Sequence, residues 1–402
     1  MNDYDVLVIG AGPAGSTAAY HLANKGFKVL VIEKEKLPRY HVGESLMPYC
    51  YFPLERMGLS DWMRESAYPK KQSVQFVRSN GQVSQPFYFF QHFDHKAATT
   101  WQVDRAEFDK KLMDNAQSKG AELLQGTKVT DLIEENAVIC GVVTDSMQDD
   151  HKRIRSKIVI DASGKNAFSI NRFNSRIPDK LLKKISIWTY YKGAKRDPGL
   201  DEGATTVAYL PKKAWFWYIP LSDDRVSVGL VADPSYLNFS KADYQELFER
   251  EIQKNEWIKD HLSIGELCDK FYVTSDFSYR SDFVAKEGLV LAGDAFSFLD
   301  PVFSSGVFLA LRSGEMVATA VAQALKNNNL EPDQFLDYQK EFVAGLESMK
   351  KLVYAFYDTN FSFGKLMRKY PNLKGDLTDC LIGNLEVDFK PLFSAVAEFT
   401  NG

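Results

Sequence analysis

The chain has 402 residues, 45% hydrophobic and 25% charged, the balance of a globular protein long enough for two domains rather than of a disordered one. Its net charge of -4, with no long run of like charges, excludes a strongly basic face for nucleic acid or an anionic membrane surface and leaves small molecules as the expected partners. Cys50, Cys140, Cys268 and Cys380 lie too far apart for a disulfide framework or zinc spacing, and no apolar run reaches the roughly 18 residues of a membrane span, so a cytoplasmic protein without membrane insertion is expected.

Asp5 to Gly10 is the apolar run of a buried parallel strand, and its place so near the first residue leaves no room for a cleavable leader. Pro13 to Lys25 predicts a helix and Lys28 to Glu33 the next strand, together one right-handed βαβ unit. Gln72 to Phe90 alternates in short apolar stretches broken at Asn80-Gly81, a pair that accepts positive φ at both turn positions and so predicts a hairpin. Asp104 to Lys119 carries a helical stripe at Ala106, Phe108, Leu112, Met113 and Ala116, and strands follow from Ala121 to Ile160, ending in Asp161-Ala-Ser-Gly164. Ile185 to Ala232, dense in Trp, Tyr, Phe and Val with Gly, Pro and Asp breaks, reads as a second sheet. Gly288 to Leu291 is one more buried strand, a helix is predicted from about Val307, and the remainder is mostly helical. The expected fold class is α/β, a Rossmann-type nucleotide-binding domain with an α+β insertion. Residues 1–73, 101–172 and 271–330 form the discontinuous nucleotide domain, 74–100 and 173–270 an inserted antiparallel or mixed sheet for the substrate, and 331–402 a C-terminal helical region.

Gly10, Gly12 and Gly15 form G-x-G-x-x-G between strand and helix, with Glu33 closing the second strand near the expected spacing of roughly 20 residues. Gly10 permits the tight turn, Gly12 lets a pyrophosphate approach the backbone, and Gly15 lets helix and strand pack closely. Pro13 and Ala14 open the helix whose amides face the phosphates, while Glu33, with Lys34 beside it, offers a carboxylate to ribose hydroxyls. These residues alone admit NAD as well as FAD. Two distant features shift the reading to FAD. Gly293-Asp294 ends a buried strand, where the carboxylate can accept a ribityl hydroxyl and Gly293 clears the space. Asp300 to Gly306 (DPVFSSG) then leads into a helix, so the backbone from Pro301 to Gly306 can face the flavin pyrimidine edge, where reduced flavin carries negative charge. Arg105 is a candidate cation over the cofactor phosphates or else a surface helix arginine, and Asp161 and Gly164 complete the cofactor candidates.

Pro38 to Pro48 (PRYHVGESLMP), Trp215 to Pro220 (WFWYIP) and Gly293 to Gly306 (GDAFSFLDPVFSSG) resemble segments of flavin-dependent halogenases and of the related geranylgeranyl-reductase-like flavoproteins, and the resemblance extends over most of the chain. Trp215, Trp217, Ile219 and Pro220 match the halogenase pattern W-x-W-x-I-P, and Phe298, Pro301, Ser304 and Gly306 match a second in order and spacing. The resemblance implies an FAD domain of the glutathione-reductase or p-hydroxybenzoate-hydroxylase type, with 38–48 folded over the isoalloxazine as a strap that brings Arg39, Gly43, Glu44 and Ser45 to the cofactor. It implies a halide held on the amides of Ser305 and Gly306 and oxidised by reduced FAD and oxygen to hypohalous acid. It further implies a lysine that directs this oxidant to an electron-rich ring, here Lys71, with Lys70 as the neighbouring choice. At that lysine the chain reads Lys71-Gln-Ser73 where phenolic and pyrrole halogenases read K-x-G, and the glutamate of tryptophan halogenases has no counterpart.

No second G-x-G-x-x-G is present for NAD(P)H, so a separate flavin reductase is the expected source of reduced FAD. Hydroxylation of an aromatic compound, or hydride transfer to a carbon-carbon bond of a polyene, stands beside halogenation as an alternative. Lys70 and Lys71 precede a hairpin, where lysines are ordinarily solvated. Trp215, Trp217 and Ile219 share one strand face and Phe216 and Tyr218 the other, so the segment either lines a substrate pocket or is buried on both sides. Tyr190-Tyr191 can clasp a flat ring or fill a sheet core. His21 and His41 stand near the cofactor motifs, but the histidines have no ligand spacing and no metal site is expected.

Overall fold

Strand β1 (Tyr4–Ile9) is an apolar run whose last four residues are buried, and it turns at Gly10 into helix α1 (Pro13–Asn24), opened by a proline at a position where no amide partner is needed. The computed structural model describes residues 3–237, 243–275 and 278–400. Strand β2 (Val29–Glu33) pairs parallel to β1 and closes the βαβ unit. In chain order there follow β3 (Ser73–Val77), α2 (Arg105–Ser118), β4 (Glu122–Gln125), β5 (Val129–Glu135), β6 (Val138–Thr144) and β7 (Arg153–Asp161). Next come β8 (Ile185–Lys192), β9 (Thr205–Tyr209), β10 (Trp215–Pro220), β11 (Arg225–Ala232), β12 (Leu289–Leu291), α3 (Ser305–Lys326) and α4 (Leu336–Tyr357).

The first sheet has the order Ala285–Lys286, β12, β7, β1, β2, β4, parallel except at Ala285–Lys286. Because side chains alternate along a strand, Leu7, Ile9, Leu30 and Ile32 pack in one cluster with the antiparallel β5–β6 hairpin, while Val6, Val8, Val29 and Val31 join the large core shared with α1 and α3. Glycine permits the close contact of those helices: a Cβ on Gly314 would lie 2.4 Å from the Ala14 carbonyl oxygen.

The second sheet runs Glu266–Leu267, β8, β11, β10, β9, β3, Phe87–Tyr88, with Tyr272–Ser275 also on β8; it is mixed, since β9 and β3 are parallel and the other pairs antiparallel. Phe216 and Tyr218 pack with the helices Tyr244–Ile252 and Glu256–Leu262, and Trp215, Trp217 and Ile219 turn the other way into the large core. Gly229, opposite Trp217 in register, makes room for the indole, which a Cβ would meet at 2.1 Å.

Two local expectations are corrected. The turn at Asn80-Gly81 has positive φ at Gly81 alone (+80°); the Arg78 amide bonds to Gln82 and the Gly81 amide back to Arg78, a three-residue loop closed by a left-handed glycine rather than a two-residue turn. Helix α3 starts at Ser305, ahead of Val307, because Ser304 takes a left-handed φ of 58° that swings the chain directly into it. Among the described residues no helix is long and apolar enough to cross a membrane, and no cluster of His, Cys, Asp or Glu is arranged for a metal ion.

Candidate active site

A cavity of about 840 Å³ opens where the carboxyl ends of β1 and β2 and the turn after β7 meet the inward face of the second sheet, a volume typical of small-molecule sites. At one end lies the glycine turn. Gly10 has φ +101° and a Cβ there would sit 2.5 Å from the Ala162 carbonyl oxygen, while one on Gly15 would strike the Gly10 oxygen at 1.9 Å. Gly12 leaves the wall bare, with Pro13 and Ala14 beside it, and α1 has no side-chain cap, so its first amides remain for a ligand. The buried Glu33 carboxylate is fixed at this turn by the amides of Ala11 (2.8 Å) and Glu35 (3.1 Å), with Lys34 exposed next to it. Gly164, after β7, also lines the cavity.

Residues 39–45 cross the cavity without regular structure, and Arg39, Tyr40, Gly43, Glu44 and Ser45 all line it. Two guanidinium groups pin this strap to α2. Arg105 donates to both oxygens of Asp109 (2.8 and 3.0 Å) and to the carbonyls of Val42 (3.0 Å) and Gly43 (3.3 Å), and Arg39 adds a bond to Asp109 at 2.9 Å. Burial alone would raise the Asp109 carboxyl, but the adjacent Arg105 and Arg39 hold it below the usual carboxylate range. Of the two readings of Arg105, the surface one is corrected: it is buried, lines the cavity, and is bonded to Asp109 and the strap. From the other side, Tyr190 donates to the buried Glu44 (2.6 Å), its hydroxyl lies 2.9 Å from that of Tyr40, and the Trp188 indole donates to Tyr40 (2.7 Å). Tyr190 thus ties strap to sheet, and burial pushes the Glu44 carboxyl up. His41 lies exposed in the strap with its Nδ1 2.7 Å from the Val42 carbonyl.

Asp294, Pro301, Ser304 and Gly306 also line the cavity, and burial pushes the Asp294 carboxyl up to about 6. Helix α3 likewise has no side-chain cap. Trp215 and Trp217 are both fully enclosed in β10 and part of the cavity wall, so the two alternatives for that strand coexist. Their indoles are oriented by bonds to Tyr357 (2.9 Å) and Ser227 (3.1 Å).

Several expected residues do not face the cavity. Asp161 is corrected from a cofactor contact to a shaper of the turn after β7, because its oxygens accept the amides of Ser163 (2.9 Å) and Ser169 (2.7 Å). Gly15 and Gly293 serve packing, the latter 3.0 Å from the Ala14 methyl if given a Cβ, and Ser305 is buried behind its neighbours Ser304 and Gly306. Lys71 was expected in solvent on the simplest reading, and this too is corrected: it is 2% exposed, whereas Lys70 is the exposed member of the pair. The two alternate across a two-residue strand bonded to Thr100–Trp101. Lys71 donates to Ser45 Oγ (3.0 Å) and the Leu46 carbonyl (3.2 Å), pairs with no carboxylate among the described residues, and is driven by burial down to about 7. It stands one hydrogen bond behind the wall. Thr205, Gln102 and Trp188 were not foreseen; Trp188 shares a strand face with Tyr190, a spacing that points to it, but single polar residues in buried strands carry no such signal.

The donor set fits FAD: a bare glycine wall at an uncapped helix start, a carboxylate fixed beside it, and an aromatic-walled space beyond a strap. The FAD binding domain family matches residues 3–342. The chain is 32% identical over 396 residues to the 1H-pyrrole-2-carbonyl-(peptidyl-carrier protein) brominase of Pseudoalteromonas luteoviolacea, spanning 95% of this chain and 92% of the brominase. It is 30% identical over 407 residues to the corresponding chlorinase of Pseudomonas fluorescens, spanning 96% and 90%. The solved structure of the flavin-dependent brominase Bmp2 is similar with a TM-score of 0.89 and 29% identity, covering 98% of this chain and 97% of that one.

Proposed function

The chain belongs to the flavin-dependent halogenases, a family of FAD-dependent oxidoreductases, and from that premise we propose that it chlorinates or brominates an electron-rich aromatic ring, with pyrrole the ring class its relatives suggest. The observation that carries this reading is Lys71, an amine with no carboxylate partner among the described residues, buried behind the wall of the cavity that also contains the glycine turn. A buried lysine of this kind costs stability, and such groups concentrate at functional sites. Bound FAD, once reduced, supplies the two-electron oxidation of halide by oxygen.

The chain's own residues divide the remaining work. The Gly12 backbone and the first amides of α1 hold the diphosphate, Glu33 accepts ribose hydroxyls, Asp294 accepts from the ribityl chain, and the strap excludes water. Of the two expected halide positions, Gly306 faces the cavity, and its amide at the uncapped start of α3 is the donor to a halide. Trp215 and Trp217 give an aromatic wall to the ring, and Lys71 supplies the proton that the oxidant needs as its halogen transfers. A separate reductase provides reduced FAD, and the ring arrives either free or on a carrier protein.

The test is to supply FAD, a flavin reductase, NADH, oxygen and bromide or chloride with pyrroles and phenols, free and carrier-linked, and to analyse products by mass. Halogenated product is expected from the native protein, with a loss of about 100-fold in Lys71→Ala at undiminished FAD uptake. Hydroxylated product alone, or no product across the panel, would overturn the reading.

A further inference from the structure

Lys71 does not itself line the cavity, yet Ser45 and Thr205 do, and the three are joined. Lys71 Nζ donates to Ser45 Oγ at 3.0 Å, Ser45 Oγ lies 2.8 Å from Thr205 Oγ1, and Gln102 Nε2 donates to Thr205 Oγ1 at 2.9 Å. The protonated Lys71 amine and the Gln102 amide NH₂ can only donate, so with the lysine charged the direction of the chain follows. Ser45 accepts from the lysine and gives its single proton to Thr205; Thr205 accepts from both sides, and its own proton is the end of the chain at the cavity wall. Gln102 is held in that orientation by a second bond to the Gly203 carbonyl at 2.9 Å, while its Oε1 is buried without a partner, a cost accepted for keeping the amide hydrogens on Thr205 and Gly203.

We propose that Lys71 acts on the cavity through the Ser45 and Thr205 hydroxyls, which relay its proton, with Gln102 as the residue that positions Thr205. The inference rests on the reading of Lys71 given above. As the carbon-halogen bond forms and the halogen-oxygen bond of hypohalous acid breaks, the oxygen takes the Thr205 proton and leaves as water. Thr205 then takes the Ser45 proton and Ser45 one from the Lys71 ammonium. The proton displaced from the ring returns by the same route to the amine, so ring and hypohalous acid become halogenated ring and water with the lysine unchanged.

The groups around the amine leave this traffic undisturbed. The Cys50 thiol, the titratable neighbour that acts on Lys71, is pushed up to about 12 by burial and stays neutral. Glu44, next to Ser45, is engaged by Tyr190, and Asp201 by Ser73 and Tyr88. Neutral hydroxyls in a low-dielectric wall polarise one another, which favours transfer along the line.

The FAD-loaded protein is compared as native, Thr205→Val, Ser45→Ala, Ser45→Thr, Lys71→Ala and the Lys71→Ala/Thr205→Val double variant, reading FAD uptake, product rate against pH, and the Lys71 Nζ titration by ¹⁵N NMR. Thr205→Val is expected to take up FAD, keep the Lys71 titration midpoint and lose about 10-fold or more in rate, with the double variant no worse than Lys71→Ala. Ser45→Ala removes an acceptor of the ammonium and lowers the Lys71 midpoint; Ser45→Thr restores both midpoint and rate. Native rate in Thr205→Val beside an inactive Lys71→Ala would overturn the relay and leave a directly acting lysine. Full activity in Lys71→Ala would instead overturn the Lys71 reading itself. Should Thr205→Val fail to take up FAD, an unmoved Lys71 midpoint in Ser45→Ala would by itself overturn the relay.

Discussion

Lys71 is cheaper to bury neutral than charged, and the consequence extends to stability. The unfolded chain holds the lysine proton up to roughly pH 10, whereas the folded chain holds it only below about 7. Between those values the unfolded state binds more protons, so this group makes the fold more stable as pH rises, and its penalty is full below pH 7. Lys71→Met is therefore expected to raise stability at pH 6 by a few kcal/mol and to change it little near pH 10, as measured by denaturant unfolding at both values. An equal gain at both would show that burial of the charge is not the cause. Nothing local foretold this burial: Lys70 and Lys71 are identical side chains on opposite faces, and the face that turns inward is chosen by pairing with Thr100–Trp101, some thirty residues on. Asp161 misled for a related reason, since a carboxylate at a strand end serves a ligand or its own turn equally well until the Ser163 and Ser169 amides are seen to take it.

Elements that the sequence marked clearly are those with a period, such as α2 with its stripe from Ala106 to Ala116 and β10 with its alternating tryptophans. What holds β10 in place was not marked, because it comes from the end of α4. Tyr357 accepts from the Trp215 indole and donates to the buried Asp300, whose carboxyl burial pushes up to about 6, and Lys213 donates to the carbonyls of Phe356 (3.0 Å) and Phe361 (3.3 Å). Tyr357→Phe leaves the Trp215 indole N–H and one oxygen of the Asp300 carboxylate without their partner in the core, the other oxygen keeping the Val302 amide, and the expected cost is about 2 kcal/mol. The loss should be greater at pH 8, where Asp300 is charged, than at pH 5, where it is largely protonated. Denaturant curves with tryptophan fluorescence check both statements, and a pH-independent loss would show that the Asp300 bond contributes nothing.

Across the whole molecule the cofactor is expected to act as a staple between sheet, strap and aromatic wall. At a concentration of 100 times its dissociation constant, FAD should add about 2.7 kcal/mol to the unfolding free energy, seen as a rise in melting temperature. Gly12→Val puts a branched side chain on the bare wall of the glycine turn, so the variant should show no such rise; an equal rise would place the diphosphate elsewhere. The βαβ opening, its dinucleotide site and the aromatic strand were legible in the residues alone, because hydrophobic period and obligatory glycines are local properties that a few adjacent residues impose on any chain. The tertiary structure alone decided which lysine is buried, that Arg105 serves the strap, and that Ser45, Gln102 and Thr205 form one line, because those outcomes depend on contacts between residues up to 160 positions apart, whose hydrogen bonds exist only once both sheets have closed on the cavity.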